Sequence, residues 1–122
     1  MSSVLLAEDE FLIRAVLADA LGALGLACIE APTGQAALDV VRGDAPLAAI
    51  IVDIGLPDMS GEKVIEAAAL HRPNTPVIRC SGAIAGAAGA ASGGIHVFPK
   101  PYSVDELSRF VASLVAGAAT RI

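Results

Sequence analysis

Strand-like and helix-like patterns alternate along the whole chain. Short apolar runs rich in β-branched residues are typical of strands buried on both faces. They occur at residues 4–7, 26–30, 48–52, 77–80 and 96–98. The segments that follow them are predicted helices, at residues 11–24, 36–41, 61–70, 82–94 and 104–115. Strict alternation predicts a parallel sheet with right-handed crossovers and helices on both faces. We therefore expect a doubly wound α/β domain of five strands and five helices, (βα)5.

Polar residues mark the starts of three predicted helices. Thr33 and Ser60 are suitable N-caps, and Ser103 begins a Ser-x-x-Glu capping box. The fourth helix is weaker, because Gly86 and Gly89 lie in its interior and each costs about 1 kcal/mol relative to alanine. We expect that helix to be short, frayed or exchanging.

Length and composition restrict the function. A chain of 122 residues suits one domain, so we expect residues 1–122 to form it without a second, output domain. The net charge of −5 and the lack of a basic run argue against direct nucleic-acid binding. The uncharged stretch at residues 80–99 is too rich in glycine for a membrane span. No secretory signal is evident at the start, so we expect a cytoplasmic protein.

A few polar residues stand at the ends of the predicted strands. They are Glu8, Asp9, Asp53, Ser81 and Lys100. The carboxyl ends of parallel strands share one edge of the sheet, which is where such folds bind ligands. Each residue alone has an ordinary explanation, and Asp53 could merely cap the turn that follows it. Their joint placement favours a site.

The residue types at this edge suit phosphoryl chemistry. Three crowded carboxylates raise one another's pKa unless a cation lies among them, and oxygen ligands suit Mg²⁺. A carboxylate nucleophile beside a lysine and a hydroxyl can accept a phosphoryl group. Asp53 would be the acceptor.

Four motifs carry a resemblance to a known family. They are LLAEDE at residues 5–10, IIVDIGLPDMSG at 50–61, PVIRCSG at 76–82 and PKPYS at 99–103. With these motifs the chain resembles the receiver domains of two-component response regulators, the CheY-like proteins. The resemblance implies a flavodoxin-like sheet with strand order 2-1-3-4-5 and a cis peptide before Pro101.

The resemblance also implies roles for individual residues. Asp53 would be the phosphoacceptor, Asp9 a direct Mg²⁺ ligand and Glu8 a ligand through water. The backbone carbonyl of Gly55 would complete the protein ligands, and Mn²⁺ could replace Mg²⁺. Ser81 and Lys100 would bind the phosphoryl group.

The resemblance further implies partners. The phosphoryl donor would be a histidine kinase or a histidine phosphotransfer protein, and the output would run through protein contacts. Such a stand-alone receiver assists its own phosphorylation and dephosphorylation but turns over no external substrate.

Three positions depart from the family pattern. Val97 stands where the family usually has Tyr or Phe, so ordering of the fourth helix would replace ring rotation as the switch. Arg79 occupies a place that is normally apolar, and a charge there needs a partner or access to water. Gly55 places no side chain beside Asp53.

The two cysteines should remain reduced. With strand order 2-1-3-4-5, the strands of Cys28 and Cys80 are three spacings apart, about 14 Å. A disulfide requires Cα atoms within about 7 Å. We therefore expect two free thiols inside the sheet.

Two other functions remain open at this stage. A Mg²⁺-dependent phosphohydrolase could use Asp53 as its nucleophile, although such enzymes usually carry a second carboxylate two residues later, where this chain has Gly55. A degenerate receiver could act only as a binding module.

Overall fold

The computed structural model describes residues 2–81, 91–92 and 95–120. Within these residues the strands are β1 (Ser2–Ala7), β2 (Leu26–Ala31), β3 (Ala49–Asp53), β4 (Val77–Ser81), β5 (Ala91–Ser92) and β6 (Ile95–Pro99). The helices are α1 (Phe11–Ala23), α2 (Gly34–Arg42), α3 (Gly61–His71) and α4 (Val104–Thr120). The predicted positions of the five long strands and of these four helices are confirmed to within a few residues.

The strands form one twisted sheet in the order β2-β1-β3-β4-β6-β5. The five long strands pair in parallel, which confirms the predicted order 2-1-3-4-5 and the flavodoxin-like class. Parallel pairing needs a crossover between neighbouring strands, and the helices supply it.

The two-residue strand β5 was not predicted. It pairs antiparallel with β6, Ala91 opposite His96 and Ser92 opposite Ile95. The prediction of a helix is therefore wrong at these two residues, where pairing with the edge of the sheet replaces helical hydrogen bonds. In the sequence Gly93 and Gly94 separate the paired residues, and a glycine pair is a hairpin signal that the helical interpretation overlooked. The rest of the predicted fourth helix, including its expected fraying, lies outside the described residues.

Helices cover both faces of the sheet. On one face α2 and α3 pack on residues such as Leu5, Ile50 and Val52. On the other face Leu17 and Leu21 of α1 and Leu107 of α4 pack on their neighbours. All five residues of β3 are buried, so this strand lies between two apolar layers. Burial of that kind stabilises the fold by about 25 cal/mol for each Å² of apolar surface.

The predicted helix starts are confirmed by hydrogen bonds. Thr33 Oγ1 accepts from the Ala36 amide at 3.1 Å, and Ser60 Oγ accepts from the Glu62 amide at 3.2 Å. Ser103 Oγ accepts from the amide of Glu106 at 3.2 Å, as the capping box requires. Each bond satisfies an amide that the first helical turn leaves without a partner.

Helix α2 is also held at both ends by residues that flank α3. Before α3, the Asp58 carboxylate accepts from the amides of Gly34 and Gln35 at 2.7 and 2.9 Å. After α3, the Arg72 guanidinium donates to four backbone carbonyls at the other end of α2, those of Val40, Val41, Gly43 and Ala45 at 2.7–3.2 Å. The charges are complementary to the helix dipole at each end. The two helices therefore lie side by side and run in the same direction.

The expectation of two free thiols is confirmed. Cys28 and Cys80 are free thiols, and burial raises their pKa to about 11 and about 12. Among the residues described, no helix combines the length and the apolar content needed to cross a bilayer.

Candidate functional site

The last residue of β3, Asp53, lies at the carboxyl edge of the sheet. It is 7% exposed. Its Oδ1 accepts from the Gly55 amide at 3.1 Å, and its Oδ2 accepts from Lys100 Nζ at 3.0 Å. Each carboxylate oxygen therefore has a hydrogen-bond donor.

The loop after Asp53 is short and closely held. Residues 54–60, here called the site loop, are closed by a bridge between Gly55 and Ser60 and by a hydrogen bond from the Gly61 amide to the Ile54 carbonyl at 2.9 Å. A Cβ atom on Gly61 would lie 2.4 Å from the backbone oxygen of Asp53. Only glycine fits there without moving Asp53 or the helix.

Glu8 and Asp9 follow β1 at the same edge. Glu8 is only 2% exposed, and its carboxylate accepts from the Glu10 amide at 3.0 Å and from Lys100 Nζ at 3.4 Å. Burial, with a further contribution from the charge of Asp53, raises the pKa of Glu8. Asp9 is exposed. One carboxylate oxygen from each of Glu8, Asp9 and Asp53 lies within 4.8 Å of the others.

Lys100 joins the acidic residues to β4. Burial lowers the pKa of Lys100, but the hydrogen bond to Asp53 and the charges of Glu8 and Asp53 outweigh it, so the net shift is upward. Its backbone amide donates to the carbonyl of Ser81 at 2.7 Å, and the following peptide to Pro101 is cis, as expected. Ser81 itself is buried at the end of β4.

The predicted site residues therefore stand together. Glu8, Asp9, Asp53, Ser81 and Lys100 all follow or end a parallel strand at one edge. Gly55 lies two residues beyond Asp53, and its contact in the structure is through its amide rather than its carbonyl. Coordination of a metal by that carbonyl stays a prediction.

The donor set fits a hard divalent cation. Three carboxylates and one lysine carry a formal charge of −2, which a divalent cation would balance. All-oxygen ligands drawn from one or two carboxylates and water are those that Mg²⁺ prefers. The residues present could therefore hold Mg²⁺ or Mn²⁺.

A family profile described as the response regulator receiver domain matches residues 4–112. The chain belongs to this family. It is a receiver domain of two-component signalling, homologous to response regulators.

Relatives of this receiver include a curated protein and many solved structures. The probable transcriptional regulatory protein TcrX of Mycobacterium tuberculosis is 30% identical over 108 residues, which cover 86% of this chain and 46% of that protein. The receiver thus spans less than half the length of that curated relative.

Two solved structures illustrate the shared fold. A CheY-like receiver from Methanospirillum hungatei JF-1 is 20% identical with a TM-score of 0.82, over 100% of this chain and 99% of that one. The receiver domain of a sensor histidine kinase from Pseudomonas aeruginosa PAO1 is 20% identical with a TM-score of 0.78, over 94% and 98% of the two chains. That structure holds a magnesium ion coordinated in its active-site cleft.

The structure supplies the partner of Arg79. Arg79 lies in β4 with Val52 and Val97 as its neighbours on the adjacent strands. Its guanidinium forms an ion pair with Glu62 of α3, and its Nε donates to Glu62 at 3.1 Å. Glu62 follows Gly61, which contacts Asp53, so the ion pair joins β4 to the helix that begins beside the receiver's acidic site. Nothing in the local sequence pattern pairs residues 17 positions apart.

A second supporting arginine was also missed. Arg14 of α1 donates from Nη1 to the backbone carbonyl of Glu8 at 2.9 Å and from Nε to Glu30 at 3.1 Å. These bonds fix the backbone between β1 and α1 of the receiver, where Glu8 and Asp9 lie. The sequence contains one signal for this contact, because Arg14 lies one turn into a helix that directly follows the three acidic residues at positions 8–10.

Proposed function

We propose that this receiver accepts a phosphoryl group on Asp53 and passes the signal on through protein contacts. The donor is a phosphohistidine of a histidine kinase or of a histidine phosphotransfer protein, and the reaction requires Mg²⁺ or Mn²⁺. The proposal rests above all on one observation. The buried Asp53 carboxylate is hydrogen-bonded to Lys100 at 3.0 Å and lies within 4.8 Å of carboxylate oxygens of Glu8 and Asp9.

Asp53 is suited to act as the nucleophile. Transfer forms a bond from phosphorus to one carboxylate oxygen while the bond from phosphorus to the donor's imidazole nitrogen breaks, and the imidazole keeps that electron pair and takes a proton. Donors from Gly55 and Lys100 hold the carboxylate in place, which reduces the entropy lost on reaching the transition state. Its formation of a covalent adduct follows the general pattern of carboxylate nucleophiles.

Lys100 and Ser81 would bind the transferred group. Phosphoryl transfer depends mainly on positioning and on neutralising the phosphoryl oxygens. Lys100 carries a full positive charge at the nucleophile, and Ser81 ends the neighbouring strand with a hydroxyl. Because the amide of Lys100 is bonded to the carbonyl of Ser81, the two residues are positioned as one unit.

Glu8, Asp9 and Asp53, with the carbonyl of Gly55, would hold the divalent cation. Its charge would offset the net −2 of the carboxylates and lysine and would attract the oxygens of the phosphoryl donor. Glu8 is the least exposed of the three acids, which fits a ligand that acts through water or orients the others.

In this proposal the receiver does not turn over external substrates. The product is the receiver with a phosphoryl group on Asp53, and its output is a changed surface read by another protein. We place this activity in the cytoplasm, where a histidine kinase presents its phosphohistidine.

The test is to incubate the chain with acetyl phosphate and Mg²⁺ and to measure its intact mass. We expect a single phosphoryl adduct in the wild type, none in Asp53→Asn and none after addition of EDTA. Asp58→Asn is the matched control, because it makes the same chemical change on an exposed residue of the site loop. Asp9→Asn should raise the Mg²⁺ concentration that gives half-maximal adduct.

The other outcomes separate the alternatives. Continuous release of inorganic phosphate over many turnovers, dependent on Asp53, would indicate a phosphohydrolase. Absence of an adduct on the folded wild type would indicate a binding module. An undiminished adduct in Asp53→Asn would contradict the assignment of the acceptor.

A further inference from the structure

A groove runs between α2 and α3, away from the acidic site. It has a volume of about 510 Å³. Leu38 of α2 and Ala67 of α3 form its buried floor, and Met59 of the site loop closes one end. Leu70, which is 76% exposed, stands at its edge. The volume lies in the range of protein sites that bind ligands or peptide segments.

Among the described residues, the lysine and the arginine that border this groove form no hydrogen bond or ion pair. The structure describes seven of the chain's eight lysines and arginines, and five of the seven bond to carboxylates or to backbone carbonyls: Arg14, Arg72, Arg79, Lys100 and Arg109. Within the described residues, Arg42 and Lys63 make no such bond, and both are exposed and line the groove.

The helix dipole favours one of these charges and disfavours the other. Arg42 lies in the last turn of α2, where the helix dipole favours a cation. Lys63 lies in the first turn of α3, where the dipole disfavours one. One acidic residue, Glu66, also borders the groove, so the rim carries one negative charge against two positive ones. On a chain with a net charge of −5, this is a local reversal of sign.

The two cations are separated along the groove. Because α2 and α3 start side by side and run in the same direction, Arg42 lies eight residues from its helix start and Lys63 two from its own. At 1.5 Å per residue the two lie about 9 Å apart along the helix axes. With this separation, two carboxylates on one peptide can each pair with one cation while both side chains stay extended.

We propose that the α2–α3 groove binds an acidic helical segment of a partner protein. Two carboxylates about two helical turns apart pair with Arg42 and Lys63, and an apolar side chain between them packs on Leu38 and Leu70. Apolar anchors flanked by charges are the usual way in which a groove receives an amphipathic helix. This inference does not depend on phosphorylation of Asp53.

The test is a titration of the isotope-labelled full chain, followed by its amide shifts, with a capped alanine-based peptide. The peptide carries two glutamates two helical turns apart, about 11 Å, with leucines between them. We expect shifts confined to the amides of α2, of α3 and of Met59, and binding that weakens as salt is added. A peptide with lysine in place of both glutamates is the control and should not bind.

Variants locate the site. Arg42→Glu and Lys63→Glu should each weaken binding about fivefold, and the double variant about 25-fold, as expected for independent exposed pairs. Neither side chain makes a hydrogen bond or an ion pair in the described residues, so both variants should fold. Through the helix dipole, Arg42→Glu should lower the free energy of unfolding, and Lys63→Glu should raise it, each by about 0.3 to 1 kcal/mol. Arg109→Glu is the matched control, since it reverses an exposed charge on α4, and it should bind as the wild type does.

Four results would overturn the proposal. These are equal binding of the glutamate and lysine peptides, unchanged affinity in the double variant, and the same shifts with inorganic phosphate alone, which would indicate a site for a small anion. The fourth is a shift of these amides with protein concentration in the absence of peptide, which would identify a second copy of the chain as the occupant.

Discussion

Gly61 leaves no room for a side chain beside the backbone of Asp53, and its replacement by alanine tests how rigidly the site is held. The added Cβ would lie 2.4 Å from the Asp53 oxygen, 2.8 Å from Val52 Cγ1 and 2.9 Å from Ile54 Cα. Two of these three atoms belong to the backbone, so no rotation of a side chain can relieve the overlap. Reaching the normal lower limit of 3.0 Å requires a shift of about 0.6 Å at Asp53 or in α3.

We expect Gly61→Ala to lower the free energy of unfolding by about 1 to 3 kcal/mol, the usual cost of overpacking a buried position. Gly22→Ala is the matched control. Gly22 lies near the end of α1 with no atom within 4 Å of an added Cβ, so alanine should stabilise there by about 0.5 kcal/mol through helix propensity. The two variants make the same chemical change with opposite expected signs.

The assay is urea unfolding followed by far-UV circular dichroism, because the chain has no tryptophan. The adduct yield of folded Gly61→Ala with acetyl phosphate should also fall, since Asp53 has moved relative to Lys100. A Gly61→Ala variant as stable as the wild type would refute the reasoning, as would an equal loss in Gly22→Ala.

Three further predictions concern charged residues outside the acidic site. Arg72→Lys should lower the free energy of unfolding in urea by about 1.5 to 3 kcal/mol, because one ammonium group cannot replace a planar guanidinium that donates to four carbonyls. A loss below about 0.5 kcal/mol would contradict this. Arg79→Leu should change stability by less than about 1 kcal/mol, because the pair with Glu62 is partly exposed and the flanking strand residues are valines; a larger loss would show that the pair is structurally required. Bonds from the amides of Gly34 and Gln35 lower the pKa of Asp58 below its usual 3.8. The contribution of the Asp58 charge to stability is therefore complete above about pH 4 and is lost as the pH falls through the lowered pKa. The difference in free energy of unfolding between the wild type and Asp58→Asn should shrink on acidification. A difference that stays constant with pH would refute the linkage.

The arrangement of the site followed from the sequence because topology determines it. Once five strands are parallel, the residues at their carboxyl ends must meet at one edge, so the sequence alone groups Glu8, Asp53 and Lys100. Their types then indicated the chemistry. Side-chain identity and strand direction were sufficient to predict the site, and no long-range side-chain contact had to be predicted.

The residues that hold the site in place could not be predicted in the same way. Arg79 pairs with Glu62, Asp58 with the start of α2, and Arg72 with its end, across 17 to 32 positions of sequence. Hydrophobic periodicity places an element in the sheet or on a face but does not say which charge a long side chain reaches. Arg79 could be recognised only as a charge that needed a partner.

The site loop connects the two surfaces that this receiver offers. At its start Asp53 is bonded to Gly55, and at its end Gly61 touches the backbone of Asp53. Between them, Asp58 bonds to the first amides of α2 and Met59 closes one end of the α2–α3 groove. A loop of seven residues with contacts at both ends and in its middle has little freedom to absorb a shift locally. Under the two proposals above, a phosphoryl group on Asp53 and an acidic helix in the groove therefore act on the same loop. By linkage, the factor by which phosphorylation changes the affinity for the helix equals the factor by which the bound helix changes the equilibrium constant for phosphorylation.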